Sequence, residues 1–158
     1  MGRAIAQAGL AAAEGEVPVG AVIADASGRI LAECRNACAA LNDVTAHAEI
    51  LALREAGRAV GNYRLNGCVL VATLEPCAMC AAAIVQARLA GIVYGAADAL
   101  AGAVVSRAEY LDAPACPGEP VWHMGGVMSR ECAALLRDFF ALRRRRARLA
   151  FRPSNGYK

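Results

Sequence analysis

Two short segments of the chain carry the residue types needed for metal chemistry. The first reads His-Ala-Glu at positions 47–49, and the second reads Pro-Cys-Ala-Met-Cys at positions 76–80. Both are predicted at or near the start of a helix. In a helix, Cys77 and Cys80 are three positions apart and face the same side, so they can bind one metal ion. A helix N-terminus also favours the thiolate, the form that binds metal. His47 can add an imidazole ligand.

The spacing of His47 and Glu49 restricts where the two side chains can meet. In the middle of a helix, side chains two residues apart diverge by about 200°. They can therefore converge only in a first turn that points at the site. Three protein ligands leave a fourth tetrahedral position for water, as in catalytic zinc sites. The pattern predicts one Zn²⁺ per chain, with Glu49 outside the ligand set and free to accept a proton from that water.

Two other interpretations of the Cys-x-x-Cys pair stay open at this point. The pair could be a redox couple, or half of a structural zinc site that Cys34 and Cys38 complete. The nearby His-Ala-Glu segment favours catalytic zinc.

Composition limits the class of protein. The chain has 158 residues, 58% of them hydrophobic, which suits one domain over residues 1–158. Its seven cysteines are an odd number, and no secretory pattern precedes them, so reduced thiols are expected. No apolar run approaches the ~20 residues needed to cross a bilayer. We expect a cytoplasmic protein with no membrane partner.

Charge is concentrated at the C-terminal end. The formal net charge is +3, but residues 141–158 carry seven cationic side chains and no acid, which leaves −4 for the rest. A basic helix or tail from about residue 141 is a candidate nucleic-acid contact, because guanidinium groups pair well with phosphate oxygens. The alternative is a solvated helix end that helps solubility. The clustered candidates are Arg143, Arg144, Arg145 and Arg146.

The N-terminal half is predicted to begin with a helix and a hairpin. Apolar spacing indicates a helix over residues 3–14. Residues 17–24 and 29–34 are predicted as antiparallel strands joined by the turn Asp25-Ala26-Ser27-Gly28. Residues 35–45 are predicted as a loop.

Helices and strands then alternate. A helix is predicted over residues 46–55, ended by Gly57, followed by a strand over 68–73. Pro76 is predicted in the first turn of a helix that reaches about Arg88. Residues 92–94 are predicted as a strand, residues 104–111 as weakly helical, and Ser129 as the N-cap of a helix that runs into the arginines. This order implies an α/β fold with a mixed sheet and helices on both faces.

Taken together, these segments resemble a known family. His-x-Glu and Pro-Cys-x-x-Cys form the signature of zinc deaminases. The longer motifs are similar to those of bacterial tRNA-specific adenosine deaminases, in the cytidine-deaminase-like superfamily. The similarity covers roughly residues 3–146. It rests on Glu16-Val17-Pro18-Val19-Gly20-Ala21-Val22, Thr45-Ala46-His47-Ala48-Glu49-Ile50, Asn62-Tyr63-Arg64-Leu65, Thr73-Leu74-Glu75-Pro76-Cys77-Ala78-Met79-Cys80, Glu131-Cys132-Ala133-Ala134-Leu135-Leu136 and Asp138-Phe139-Phe140.

The resemblance implies a three-layer α/β/α fold with a mixed five-stranded sheet and a homodimer. It implies zinc ligands at His47, Cys77 and Cys80. It also implies substrate-binding positions, which are Asn36 at the target base, Ala48, and Asp98 in a loop near the nucleic acid. Asn36 could instead bond to its own backbone in a turn, and Asp98 could cap the next element.

The implied function is zinc-dependent deamination of adenosine to inosine at the wobble position of a tRNA anticodon loop. A free-base or nucleoside deaminase of the same superfamily, acting on guanine or cytosine, is the alternative. A third hypothesis is a non-catalytic, zinc-stabilised RNA-binding module, which predicts four protein ligands on the metal. His123 is predicted to serve packing or the surface, and the neighbouring Trp122 is assigned no role.

Overall fold

The computed structural model describes residues 1–111 and 120–150. The predicted thiol Cys116 and the tail cations Arg152 and Lys158 lie outside these residues. The five strands are β1 (Gly20–Ala24), β2 (Ile30–Arg35), β3 (Val69–Leu74), β4 (Gly91–Ala96) and β5 (Trp122–Met124). The helices are α1 (Gly2–Ala13), α2 (Cys38–Leu41), α3 (Ala48–Val60), α4 (Ala78–Gln86) and α5 (Ser129–Ala150).

The strands form one mixed sheet in the order β2-β1-β3-β4-β5. Strand β1 is antiparallel to both β2 and β3, whereas β3 and β4, and β4 and β5, pair in parallel. Helices α1 and α5 contact each other and one face of the sheet, and α3 packs on the sheet beside α4. The predicted three-layer fold and the mixed five-stranded sheet are confirmed. The core between the layers includes the fully buried Ile23, Leu70, Ile84 and Ile92.

The hairpin between β1 and β2 was predicted correctly, and its turn has a clear cause. The Asp25 carboxylate accepts hydrogen bonds from the Ser27 hydroxyl and from the N–H groups of Ser27 and Arg29. The prediction that the first strand begins at residue 17 is wrong. Pro18 has no N–H, and the Val19 N–H turns back to the Val17 carbonyl, so the ladder begins only at Gly20.

Two boundaries of the metal-site helices were also predicted wrongly. Helix α3 continues past Gly57 to Val60, because burial of Ala52 and Ala56 outweighs the cost of about 1 kcal/mol for an internal glycine. It ends at Gly61, whose φ of 67° is the left-handed conformation of a helix C-terminus. Pro76 lies before the N-cap of α4, which is Cys77, and not in the first turn.

The prediction of weak helix over residues 104–111 is wrong. Residues 104–111 form turns and no helix. Their first N–H groups donate to the Glu75 carboxylate, so they are held by a side chain. The predicted loop 35–45 contains the short helix α2. The sequence patterns place four strands, and the fifth strand of the sheet is β5. It carries Trp122 and His123, and Trp122 is half-exposed at the sheet edge. Within residues 1–111 and 120–150, no helix has both the length and the apolarity required to cross a bilayer.

Candidate active site

The topology of the sheet brings four chain segments to one edge. Because β1 is antiparallel to β2 and β3, its start lies beside the ends of these two strands. The end of β4 lies at the same edge of the sheet, because β4 is parallel to β3. Residues 16–19 precede β1, Asn36 follows β2, residues 75–80 follow β3, and Asp98 follows β4. Ligand sites of α/β proteins commonly lie at the carboxyl ends of parallel strands. The residues singled out in the sequence therefore converge here for a topological reason.

Two helix N-termini aim the reactive side chains. His47 is the N-cap of α3 and Glu49 lies in its first turn, while Cys77 is the N-cap of α4 and Cys80 lies in its first turn. This arrangement meets the condition that the His-Ala-Glu spacing imposes. Both helices direct partial positive charge toward the donors, which favours thiolate sulfur.

The donor atoms fit a zinc ion. The Nδ1 atom of His47 lies 3.7 Å from the Cys77 sulfur and 3.5 Å from the Cys80 sulfur. All three donor atoms lie within 4.8 Å of one another. Tetrahedral zinc, with bonds of about 2.3 Å to sulfur and about 2.0 Å to nitrogen, would hold such atoms about 3.6 Å apart. His47, Cys77 and Cys80 are thus a group suited to hold one metal ion through three protein ligands.

The other thiols in residues 1–111 and 120–150 do not join this group. Among the described residues, the group with metal-binding spacing contains His47, Cys77 and Cys80 alone. Burial raises the pKa of Cys34 to about 11, which keeps it a neutral thiol. Cys38 lines the neighbouring pocket without belonging to the donor group. The four-sulfur alternative is therefore not what the described residues form.

The surroundings of Cys77 and Glu49 shift the pKa values of these two groups in opposite directions. Hydrogen bonds from Cys80 and then from His47 lower the pKa of Cys77 to about 3, so its sulfur is a thiolate. The hydrogen bond to Cys77 raises the pKa of His47. Glu49 is only 3% exposed, and burial raises the pKa of its carboxyl group. A carboxyl group with a raised pKa exchanges protons more readily near neutral pH.

A pocket of about 240 Å³ opens beside these groups and is lined by His47, Glu49, Cys77, Asn36 and Asp98. Its volume lies below the roughly 300–1,000 Å³ of sites for drug-sized ligands, which suits a single nucleobase. The pocket thus joins members of the metal-binding group, the buried acid Glu49 and further polar side chains.

The three predicted substrate-binding positions, Asn36, Ala48 and Asp98, differ from one another in their surroundings. The Oδ1 atom of Asn36 accepts the Ala48 N–H at 2.8 Å, so Asn36 is tied to the start of α3 and not to its own turn. Ala48 is fully buried and does not line the pocket. The Asp98 carboxylate accepts the N–H groups of Leu100 and Ala101, and so stabilises its own loop while it lines the pocket. Their contacts with substrate stay predictions.

Two buried carboxylates at the pocket were not assigned a role from the sequence. The Glu16 side chain accepts the N–H groups of Ala39 and Ala40 at the start of α2. Burial would raise the pKa of Glu75, but hydrogen bonds from Ser106, Val105 and Asp98 lower it to about 2. The available signal was an acid directly beside an apolar strand, since a buried charge needs partners.

The four candidate arginines lie on α5, away from the metal group. Arg143 and Arg146 line a cleft between α5 and the end of α1, together with Phe139 and Gly15. The Arg143 guanidinium lies 5.7 Å from the centre of the Phe139 ring. Arg144 and Arg145 do not line this cleft. Helical geometry therefore divides the cluster, because residues three apart share a face and the two between them do not.

The fold and the site together define a zinc-dependent deaminase, since a His-Cys-Cys group beside a buried glutamate is the metal site of that class. A family model for the cytidine and deoxycytidylate deaminase zinc-binding region matches residues 1–96. The tRNA-specific adenosine deaminase of Agrobacterium fabrum is 45% identical over 141 residues, which are 89% of this chain and 91% of that protein. The chain belongs to the tRNA-specific adenosine deaminase family of zinc-binding deaminases.

A solved structure and a longer protein are also similar to this chain. A solved structure from work on A-to-I editing by tRNA:A34 deaminases at the wobble position is 44% identical, with a TM-score of 0.81. The match covers 86% of this chain and 97% of that one. The tRNA(Ile)-lysidine synthase of Deinococcus radiodurans is 46% identical over 147 residues, or 93% of this chain. The match spans only 25% of the length of that protein.

Proposed function

We propose that this protein deaminates adenosine to inosine at the wobble position of a tRNA anticodon, in a zinc-dependent hydrolytic reaction. The observation that carries the proposal is the buried Glu49 carboxylate in the same pocket as the His47-Cys77-Cys80 group. A non-catalytic zinc module needs no such acid. The match to tRNA-specific adenosine deaminases over most of both chains supports adenosine in tRNA as the substrate.

Glu49 performs the proton transfers. Zinc bound by the donor group would supply a water molecule that gives up a proton near neutral pH. Glu49 accepts this proton and delivers it to N1 of the adenine as the water oxygen bonds to C6. It then transfers a proton from the new C6 hydroxyl group to the amino group. The C6–N bond breaks, ammonia leaves and inosine remains.

The substrate must present an unpaired, unstacked base to reach this pocket. Enzymes that act on a base take it out of the helical stack, and RNA loops offer such bases at low cost. An anticodon loop meets that requirement. Because the Oδ1 atom of Asn36 is bonded to Ala48, the group that Asn36 can offer the base is its amide NH₂. Asp98 lines the same pocket on the other side.

The test is to incubate the zinc-loaded protein with an arginine tRNA anticodon stem-loop that has adenosine at the wobble position, and to measure inosine. Free guanine, free cytosine and their nucleosides are assayed in parallel. Inosine in the stem-loop, with slow or no reaction of the small molecules, supports the proposal. Turnover of a free base without turnover of the stem-loop would replace it by the small-molecule alternative.

Asn36→Ala is expected to lower kcat/KM for the stem-loop by about 5- to 100-fold, the loss of one buried hydrogen bond to substrate. Zinc content should stay at one per chain, because Asn36 is not in the donor group. Steady-state kinetics and metal analysis measure the two effects. Since Asn36 also accepts the Ala48 N–H, Asn36→Asp keeps that bond and replaces the NH₂ donor by a charged oxygen that can only accept. An unchanged kcat/KM in Asn36→Asp would show that Asn36 does not donate to the base.

The face of α5 that carries Arg143 and Arg146 is the proposed contact with RNA phosphates. Gly15 lines the cleft with Arg143 and Arg146, and the next residue, Glu16, lines the active-site pocket. RNA that leaves the pocket along this side would reach both guanidinium groups. Phe139 forms an apolar part of the same cleft.

Changing Arg143, Arg144, Arg145 and Arg146 together to Gln should weaken stem-loop binding, and Arg143→Gln/Arg146→Gln should account for most of the loss. Each lost phosphate contact reduces the slope of log K against log salt concentration by roughly 0.7 to 0.9. The comparison variant Arg144→Gln/Arg145→Gln removes the same charge from outside the cleft. Binding titrations at several salt concentrations give the slopes. Equal slopes for the two double variants would assign the effect to net charge, and a slope like the parent's in the quadruple variant would remove RNA contact from α5.

A homodimer is part of the proposal and is supported by an apolar groove on the α3–α4 side. The groove, about 650 Å³, is lined by side chains that include Ile50, Leu53 and Tyr63. Tyr63 is 70% exposed. A second copy would cover this surface.

The tRNA-modifying relatives support a cytoplasmic location.

A further inference from the structure

We propose that Glu75 is a positioning residue, whose buried carboxylate holds residues 98–106 in place as one wall of the substrate pocket. Residues 98–106 form this wall segment. The inference deepens the proposed function and rests on it only for the identity of the substrate. Glu75 lies between the end of β3 and the metal ligand Cys77, where no proton transfer to substrate requires it.

The contacts of Glu75 reach both ends of the wall segment. Its Oε1 atom accepts the N–H groups of Val104, Val105 and Ser106 at 3.2, 2.8 and 2.9 Å. Its Oε2 atom accepts the Asp98 N–H at 3.0 Å and the Ser106 hydroxyl. One carboxylate therefore accepts hydrogen bonds from four backbone N–H groups. In a regular helix or strand these groups would donate to backbone carbonyls.

The burial of Glu75 shows that this arrangement is specific. The residue is 1% exposed. Burying a carboxylate is costly unless hydrogen bonds replace its lost water. Five donors provide that replacement here, and they all come from the wall segment. Since wall and carboxylate depend on each other, loss of one acceptor should loosen the wall.

The wall segment is also pinned against the metal-ligand turn. The Ala103 N–H donates to the Pro76 carbonyl at 2.9 Å, and Gly102 pairs with Cys77 in an isolated β-bridge. A Cβ atom at Gly102 would lie 2.5 Å from the Glu75 carboxyl carbon and 2.6 Å from the Asp98 carbonyl oxygen. Only glycine allows this approach.

The position of the wall should affect substrate binding more than the chemical step. Asp98 and Ala101 of the wall segment line the pocket. Glu49, in the first turn of α3, and His47, the N-cap of that helix, line it as well. Glu75 has no part in the donor group. The contacts of Gly102 and Ala103 with the metal-ligand turn do not involve the Glu75 carboxylate. Loss of a Glu75 contact should therefore shift the wall near Asp98 and change the shape of the pocket, while the acid and the metal ligands stay in place. The expected signature is a raised KM with kcat nearly unchanged.

Glu75→Gln is the main test. A glutamine can keep its oxygen at the Oε1 position, where three N–H groups need an acceptor. Its NH₂ group then replaces Oε2, and it can donate to the Ser106 hydroxyl but cannot accept the Asp98 N–H. KM for the stem-loop should rise about tenfold, the effect of one buried hydrogen bond lost. We expect kcat to stay within about twofold, with one zinc per chain.

Three companion variants separate positioning from general destabilisation. Ser106→Ala removes one donor and keeps the four N–H bonds, so its rise in KM should be smaller. Gly102→Ala forces the wall away from Glu75 and should raise KM as Glu75→Gln does. Thr73→Val is the matched control, because Thr73 is 1% exposed and accepts the Gly20 N–H within the sheet. It should lower the thermal midpoint without changing KM.

Amide hydrogen exchange gives a readout that does not depend on activity. In Glu75→Gln, the Asp98 N–H should exchange faster than in the parent, while core amides of β3 stay protected. Equal KM and equal exchange in Glu75→Gln and the parent would overturn the inference, as would a rise in KM in Thr73→Val as large as that in Glu75→Gln. A parent that forms no inosine would refute the proposed function alone, because wall exchange would still decide the role of Glu75.

Discussion

Glu49→Gln is expected to reduce deamination by about 10²- to 10⁴-fold, the range for losing a general acid-base group. Glutamine has nearly the shape of glutamate but cannot accept and return a proton. Zinc content should remain one per chain, because the donor group is His47, Cys77 and Cys80. Single-turnover rates and elemental analysis of the same sample measure the two quantities.

The matched control for this change is Glu16→Gln, the same substitution at another buried carboxylate that lines the pocket. The amide oxygen of a glutamine at this position could still accept the N–H groups of Ala39 and Ala40, which Glu16 bonds now. Turnover should therefore stay within about tenfold of the parent. Equal losses in the two variants would assign the effect to pocket charge. Turnover near that of the parent in Glu49→Gln would remove Glu49 from the chemistry.

The donor group could be predicted from the sequence because each member belongs to a local pattern. Cys77 and Cys80 share a helix face at three residues' spacing, and His47 can meet Glu49 only in a first turn. The structure places all four at the starts of α3 and α4. What spacing could not decide was whether further thiols complete the site. That required the three-dimensional separation of Cys34 and Cys38 from the group, which periodicity does not encode.

The wall of the pocket could not be predicted, because its cause is not local. Residues 104–111 have weak helical spacing, but Val104, Val105 and Ser106 donate to Glu75, about thirty positions earlier in the chain. Local propensity is a weak guide where a distant side chain satisfies the backbone. The missed β5 has a different cause, which is its length of only three residues, all paired with β4. Such a short strand has no measurable alternation of its own.

The ends of the elements were missed for a different reason, which is competition between terms of similar size. At Gly57 the cost of an internal glycine is about 1 kcal/mol, comparable to the gain from continuing the helix. Tertiary burial of Ala56 decides in favour of the helix, and Gly61 ends it. A boundary set by such a small difference cannot be read from composition.

Cys80→Ala is expected to lose zinc and thermal stability together, since metal binding free energy adds to the free energy of unfolding. Cys80 is fully buried, and its sulfur lies 3.5 Å from the Nδ1 atom of His47. Two remaining ligands hold zinc weakly, so metal analysis should find well under one zinc per chain. Cys68→Ala is the control, because Cys68 is also buried but lies outside the donor group. It should keep its zinc and lose only the stability of one small buried side chain.

Thermal unfolding with and without a chelator separates the metal contribution from packing. Chelation should lower the midpoint of the parent and of Cys68→Ala by similar amounts, because both bind zinc only in the folded state. It should leave the midpoint of Cys80→Ala unchanged, because little metal remains to be removed. Cys77→Ala should behave like Cys80→Ala, since its thiolate is the second sulfur ligand. A full complement of zinc in either variant, or a midpoint that still falls on chelation, would mean that another side chain holds the ion and that the ligand set is wrong.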